Sequence, residues 1–150
     1  MKTLVVFYSR KGSTERIARG IAAELEADTL WLDTVYDLFG TGGFCQALGS
    51  SVFNRELLLF PYDEQVSDYD RVIICTPIWA GKVCRPVLEF CRKERHNVMA
   101  ADYVFVSATG KVNAERLADS LDRLLRLEHG SVRVFRSLLG RETELTAHDE

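Results

Sequence analysis

Short apolar runs alternate with helical stripes along nearly the whole chain, and this alternation limits the folds open to it. Leu4 to Phe7 is a continuous apolar run closed by Tyr8-Ser9, as expected of a strand buried on both faces. From Ser13 the period changes, and Ile17, Ala18, Ile21, Ala22 and Leu25 fall on one helical face, with Ser13 or Thr14 able to cap it. A weaker strand follows at Thr29 to Leu32. Val72-Ile73-Ile74-Cys75 is a second buried run, closed by Thr76-Pro77. A helix is predicted from Arg85, with Pro86 at its first position, where a missing N–H costs nothing. Tyr103 to Val106 is the fourth strand. Leu117, Ala118, Leu121, Leu124 and Leu125 mark the next helix, started by Asn113, and Val132, Val134 and Phe135 mark the fifth strand.

Five strands separated by helices require right-handed parallel crossovers, with helices on both faces of one sheet. The 150 residues suit a single domain, and 47% hydrophobic against 27% charged residues is a globular balance. Two regions depart from the pattern. Asp33 to Asp68 is long for a connection and holds Gly40, Gly42, Gly43, Gly49 and Pro61, with a short helix expected around Phe44 to Asn54. After the fifth strand, Arg136 to Glu150 offer only Leu138, Leu139 and Leu145 as large apolar residues, too few for a full closing helix. Part of one sheet face is therefore expected to be left for a second copy of the chain, as a homodimer.

Charge and cysteines exclude several classes. With 22 acidic and 19 basic residues the net charge is -3, so nucleic acid is not an expected partner. Cys45, Cys75, Cys84 and Cys91 form no CxxC pair and have no histidine at ligand spacing, so reduced thiols and no metal are expected. No run is long enough for a membrane span, and the expected location is the cytoplasm.

In a doubly wound sheet the ligand lies beyond the carboxyl ends of the strands, where the strand order reverses. Three loops leave such ends. Ser9-Arg10-Lys11-Gly12-Ser13-Thr14 has hydroxyls, cations and a central glycine opening a helix, which suits a phosphate; the same hydroxyls also suit plain helix capping. Thr76-Pro77-Ile78-Trp79-Ala80-Gly81-Lys82 places an indole on an irregular turn, able to stack on a flat heterocycle or to close the core. Ser107-Ala108-Thr109-Gly110-Lys111 reads only as a turn before a helix.

Together these segments resemble the flavodoxin-like family. Tyr8 to Ala18 is similar to its phosphate-binding signature, and Tyr69-Asp70 followed by Ile73 to Gly81 is similar to its strand-and-aromatic-loop signature. The resemblance covers about residues 1 to 136. It implies a doubly wound five-stranded parallel sheet in the order 2-1-3-4-5, with the final helix short or missing. It also implies FMN as cofactor. Ser9, Arg10, Lys11, Gly12, Ser13 and Thr14 would hold the phosphate. Pro77, Ile78, Trp79, Ala80 and Gly81 would flank the isoalloxazine, with Lys82 at its pyrimidine edge, and Ser107, Ala108, Thr109 and Gly110 would border the other side.

Relatives of this fold are excluded by residue identity. A receiver domain needs acidic residues at the first and third strand ends, which here read Phe7-Tyr8-Ser9 and Cys75-Thr76-Pro77. A tyrosine phosphatase needs Arg six residues after Cys, but Ser51, Gly81, Phe90 and Asn97 stand there. A nucleotidase loop needs Ser or Thr after Gly-Lys, but Val83 follows Gly81-Lys82. Two functions are left, with a non-catalytic interaction module that has lost its flavin as a minor third. One is an electron carrier working with a redox partner protein. The other is an FMN-dependent oxidoreductase acting on NAD(P)H, a quinone or a porphyrinogen, with Gly40 to Phe60 as a substrate wall. The near-balanced charge departs from the strongly acidic carriers, and the third loop lacks their second aromatic.

Overall fold

The computed structural model describes residues 1–34 and 59–145. The short helix expected at Phe44 to Asn54, and nearly all of the proposed wall, lie outside the described residues. Within them the elements are β1 (Thr3–Phe7), α1 (Ser13–Leu25), β2 (Asp28–Trp31), β3 (Arg71–Trp79), β4 (Lys82–Val83), α2 (Arg85–Glu94), β5 (Ala101–Ser107), α3 (Ala114–Leu125), β6 (Val132–Leu138) and β7 (Arg141–Leu145). None of the described helices is long and apolar enough to cross a membrane.

The sheet runs β2-β1-β3-β5-β6-β7, with β4 paired to β3 off this path. The strands β2, β1, β3, β5 and β6 are mutually parallel, so these five keep the expected order. Residues alternate between two cores. Leu4, Val6 and Tyr8 join Val72 and Ile74 under the α2 and α3 residues Val87, Phe90, Leu117 and Leu121. Val5, Phe7, Ile73, Cys75, Val104 and Val106 face the α1 residues Ile17, Ala18, Ile21 and Ala22. Each wholly buried side chain of this size contributes roughly 1.5–3 kcal/mol. The α1 stripe ends earlier than its spacing suggests, because Leu25 is 54% exposed at the last turn.

The caps show how local chemistry sets the helix starts. Asn113 caps α3 as expected, its Oδ1 accepting the Arg116 N–H at 3.1 Å. For α1 the cap is Gly12, not Ser13 or Thr14. Pro86 is the second residue of α2, after Arg85, and still lies among positions whose N–H has no partner within the helix.

Two antiparallel strands were not foreseen. β3 continues past Thr76-Pro77 to Trp79, and Ala80 (φ 51°) and Gly81 (φ 74°) form a two-residue turn into β4. Trp79 thus ends a strand instead of sitting on an irregular turn. Past β6, Leu139 (φ 53°) and Gly140 (φ 76°) make a similar turn, and β7 pairs back from Leu138↔Arg141 to Val134↔Leu145. The segment expected to give at best a poor helix is therefore an added strand.

This hairpin has a defined role on the α1 face. Arg133 lies over the Phe135 ring at 5.2 Å and grips Glu144 with two hydrogen bonds, at 2.7 and 2.8 Å. Glu142 reaches α1 itself, accepting from Arg16 Nη2 at 2.5 Å and Nε at 3.1 Å. Val104 and Val106, the β5 neighbours of Arg133 and Phe135, are buried on the same face against the α1 cluster.

Candidate cofactor-binding site

Strand register brings the three loops to one edge. β1 pairs with β3 through Phe7↔Cys75, which sets Ser9 level with Pro77, and Pro77 pairs with Val106 of β5. The chain leaves β1 toward β2 on one side, while β3 lies on the other. The ends of β1 and β3 therefore flank the reversal of strand order where doubly wound sheets open a crevice.

In the first loop, Ser9 is buried and its Oγ accepts the Gly12 N–H at 2.9 Å. That bond folds the loop back so that Gly12 enters the left-handed region, φ 95°. The Gly12 carbonyl accepts from Arg16 N–H at 3.0 Å, but no side chain among the described residues caps α1. Neither Ser13 nor Thr14 supplies a cap, while Ser9 Oγ holds the N–H of the cap residue Gly12. Ser13 Oγ accepts from Arg16 Nη2 at 3.4 Å, and Thr14 is buried under the first turn. An N-terminus without a side-chain cap among the described residues, with its dipole and with cations in the preceding loop, is suited to hold an anion.

The β3–β4 hairpin stands next to this loop. Trp79 meets the Tyr8 ring edge-on, centroids 5.9 Å apart at 82°. Tyr8 is buried, and its hydroxyl has no hydrogen-bond partner among the described residues. Burial, and next the neighbouring Cys84, push its ionisation well above the usual phenol range, so it stays a neutral O–H. Behind the hairpin, Thr76 Oγ1 lies 3.4 Å from Cys84 Sγ, and burial pushes that thiol up to about 11. Lys82 is exposed opposite Trp79.

The third loop satisfies itself. Ser107 Oγ accepts N–H bonds from Thr109 at 3.3 Å and Gly110 at 3.2 Å, and Thr109 Oγ1 accepts from Lys111 at 3.2 Å. Gly110 (φ 73°) faces the C-terminal hairpin, since a Cβ there would stand 2.5 Å from Leu145 Cδ1 and 3.3 Å from Arg136 Cβ. Ala108 and Thr109 are exposed.

The same architecture occurs in solved structures. A flavoprotein from Lactobacillus acidophilus NCFM, crystallised in complex with FMN, aligns with TM-score 0.71 and 21% identity over 89% of this chain and 92% of that one. A protein from Bacteroides eggerthii aligns with TM-score 0.74 and 22% identity over 93% and 89%. A flavodoxin from Streptococcus pneumoniae TIGR4 aligns with TM-score 0.55 and 20% identity over 89% and 84%. The chain has the flavodoxin-like fold. No protein-family model and no curated protein matches the sequence.

The flavodoxin-like fold accounts for the convergence of loops that are distant in sequence. It also draws in residues to which sequence reasoning gave no role. Tyr8 links the first loop to the hairpin through Trp79. Arg16 turns back over the first loop, its Nη1 only 3.2 Å from where a Gly12 Cβ would be. The spacing of three and four residues from Ser13 and Gly12 was the available signal for Arg16. For Glu142 there was none, because its contact depends on a strand that was not foreseen. Among the described residues no group of three His, Cys, Asp or Glu side chains gathers to hold a metal ion.

Proposed function

We propose that the chain is an FMN-binding flavoprotein that works in electron transfer. The observation that carries this is the helix start at Gly12, left without a side-chain cap at the reversal of strand order, one strand away from Trp79. The residues present fit the cofactor. A buried Ser9 and Thr14, with Arg10 and Lys11 beside them, suit a dianionic phosphate at the N-terminus of α1. Trp79 offers a flat wall, and Pro77 to Gly81 offer backbone groups for the polar ring edge. The Tyr8 hydroxyl is a polar group that the described chain leaves unsatisfied beside both. Ser107 to Gly110 border the remaining side. The Lactobacillus acidophilus relative in structure, crystallised with FMN, supports the same reading.

FMN, when bound, supplies the redox chemistry. The chain's own residues hold and screen it. The N–H groups of Ser13 to Glu15 and the first-loop hydroxyls anchor the phosphate, Trp79 excludes water from one ring face, and Lys82 supplies positive charge at the ring edge. The protein purified, loaded with FMN and freed of excess should keep the flavin absorption in the blue and near-ultraviolet. Trp79→Ala and Thr14→Ala should weaken retention. A wild-type chain that stays colourless after loading overturns the reading.

One observation favours a second reading, an FMN-dependent oxidoreductase using NAD(P)H with a quinone or porphyrinogen. The third loop has no aromatic residue, so no flat side chain of that loop closes its side of the site. Steady-state NAD(P)H consumption with a quinone acceptor separates the two readings, since a carrier alone shows almost none.

A further inference from the structure

The β3–β4 hairpin has a second side. Facing α2 and α3 it closes a cleft of about 420 Å³, within the range of small-molecule sites. No residue of the first or third loop lines this cleft. Its floor is apolar, formed by Leu88 of α2, Leu117 of α3 and the inner side of the hairpin. Trp79 forms one wall. Among the described residues three cations stand around it, Lys82, Arg85 and Arg116, and no carboxylate lines it. Glu89 lies 3.7 Å from Arg85 and is also bonded to Arg92. Glu89 balances Arg85, while Lys82 and Arg116 add positive charge that no described lining residue offsets.

We propose that this cleft binds a planar apolar molecule carrying one anionic group, such as an aromatic carboxylate or sulfonate. The apolar floor and the indole favour a flat ring system, since burying it removes apolar surface from water and stacks it on Trp79. The anion is selected by Lys82 and Arg116, and Arg116 presents a planar guanidinium that matches a carboxylate or sulfonate in two-point contact. A neutral ring of equal size gains the burial but leaves those cations unmatched. A dianion or a large polar ligand loses on the apolar floor, where its charge has no partner. Trp79 and Lys82 also belong to the cofactor position proposed above, but Arg116 does not, so its variant tests the cleft apart from the flavin.

Calorimetric titration of naphthalene-2-sulfonate and of neutral 2-naphthamide into the full chain tests this, with retained FMN absorbance measured on each sample. The sulfonate should bind at least tenfold tighter than the amide, and the preference should shrink as salt rises. Arg116→Ala should cut sulfonate affinity about tenfold and leave amide affinity unchanged. Ser120→Phe, which fills the cleft, should abolish both. FMN retention should be the same in wild type and both variants, because neither residue belongs to the three loops. Equal affinity for the two probes, or an unchanged sulfonate affinity in correctly folded Arg116→Ala, overturns the proposal. If no sample retains FMN, the cofactor reading fails alone, and the probe titrations still decide the cleft.

Discussion

Gly12 and Gly110 both adopt left-handed backbone, yet a methyl group would meet different surroundings at each. At Gly12 it meets the end of a flexible arginine, so Gly12→Ala should cost mainly the backbone term, about 1–2 kcal/mol, and should weaken FMN binding by displacing Arg16. Chemical denaturation with an FMN titration measures both effects. At Gly110 the methyl also runs into Leu145 and the Arg136 stem, so Gly110→Ala should cost more, about 2–4 kcal/mol in total. Adding Leu145→Ala should recover the steric share and leave the backbone share, which a double-mutant cycle reads as coupling. The cysteines give a further prediction at this scale. Burial pushes Cys75 and Cys91 up to about 12 and Cys84 to about 11. The thiolate is the reactive form, so these three should resist iodoacetamide at pH 8 in the native protein and react on unfolding, as mass spectrometry would show.

Among the elements, the β6–β7 hairpin makes the clearest pH prediction. The Arg133 hydrogen bonds hold the Glu144 carboxyl below its ordinary range, against a smaller opposing effect of burial. A depressed carboxyl contributes stability above its unfolded pKa, near 4.3, and loses it as pH falls through the folded value. Both partners are more than one third exposed, so the contribution is at most about 1 kcal/mol. Glu144→Gln should therefore lower stability by up to that amount at pH 7, with the difference closing below about pH 4. Urea titrations across that range check it. The elements also show where the sequence was readable. β1, β3 and β5 are buried on both faces, so their composition is itself the signal, and Asn113 announces α3 through its side-chain chemistry. The hairpin was harder. Arg141 to Leu145 face the α1 side with Glu142 and Glu144, residues that read as solvent-facing until Arg16 and Arg133 are brought opposite them by the fold.

For the molecule as a whole, FMN that binds only the folded chain must stabilise it. Stability should rise by RT ln(1 + [FMN]/Kd), about 2.7 kcal/mol at one hundred times Kd. A melting temperature that climbs with FMN and falls back on its removal is the expected result, read by differential scanning calorimetry. Element order was legible because crossover handedness leaves few ways to arrange alternating strands and helices. The meeting of the first loop with the β3–β4 hairpin was not legible from either segment alone. Tyr8 and Trp79 lie far apart in sequence, and only the parallel pairing of β1 with β3 makes them neighbours.

The two-residue turn at Leu139-Gly140 also bears on how the sheet is assembled. Each parallel strand must wait for a crossover to bring distant segments together, a search that is slowed by loop-closure entropy. β7 is exempt. Its partner lies just across the turn, so it can zip onto β6 on the microsecond scale of an isolated hairpin once β6 is in place. The Arg133–Glu144 grip across β6 and β7 is thus laid down by a fast local step, and the outer edge of β6 is paired early instead of waiting for a long-range docking event.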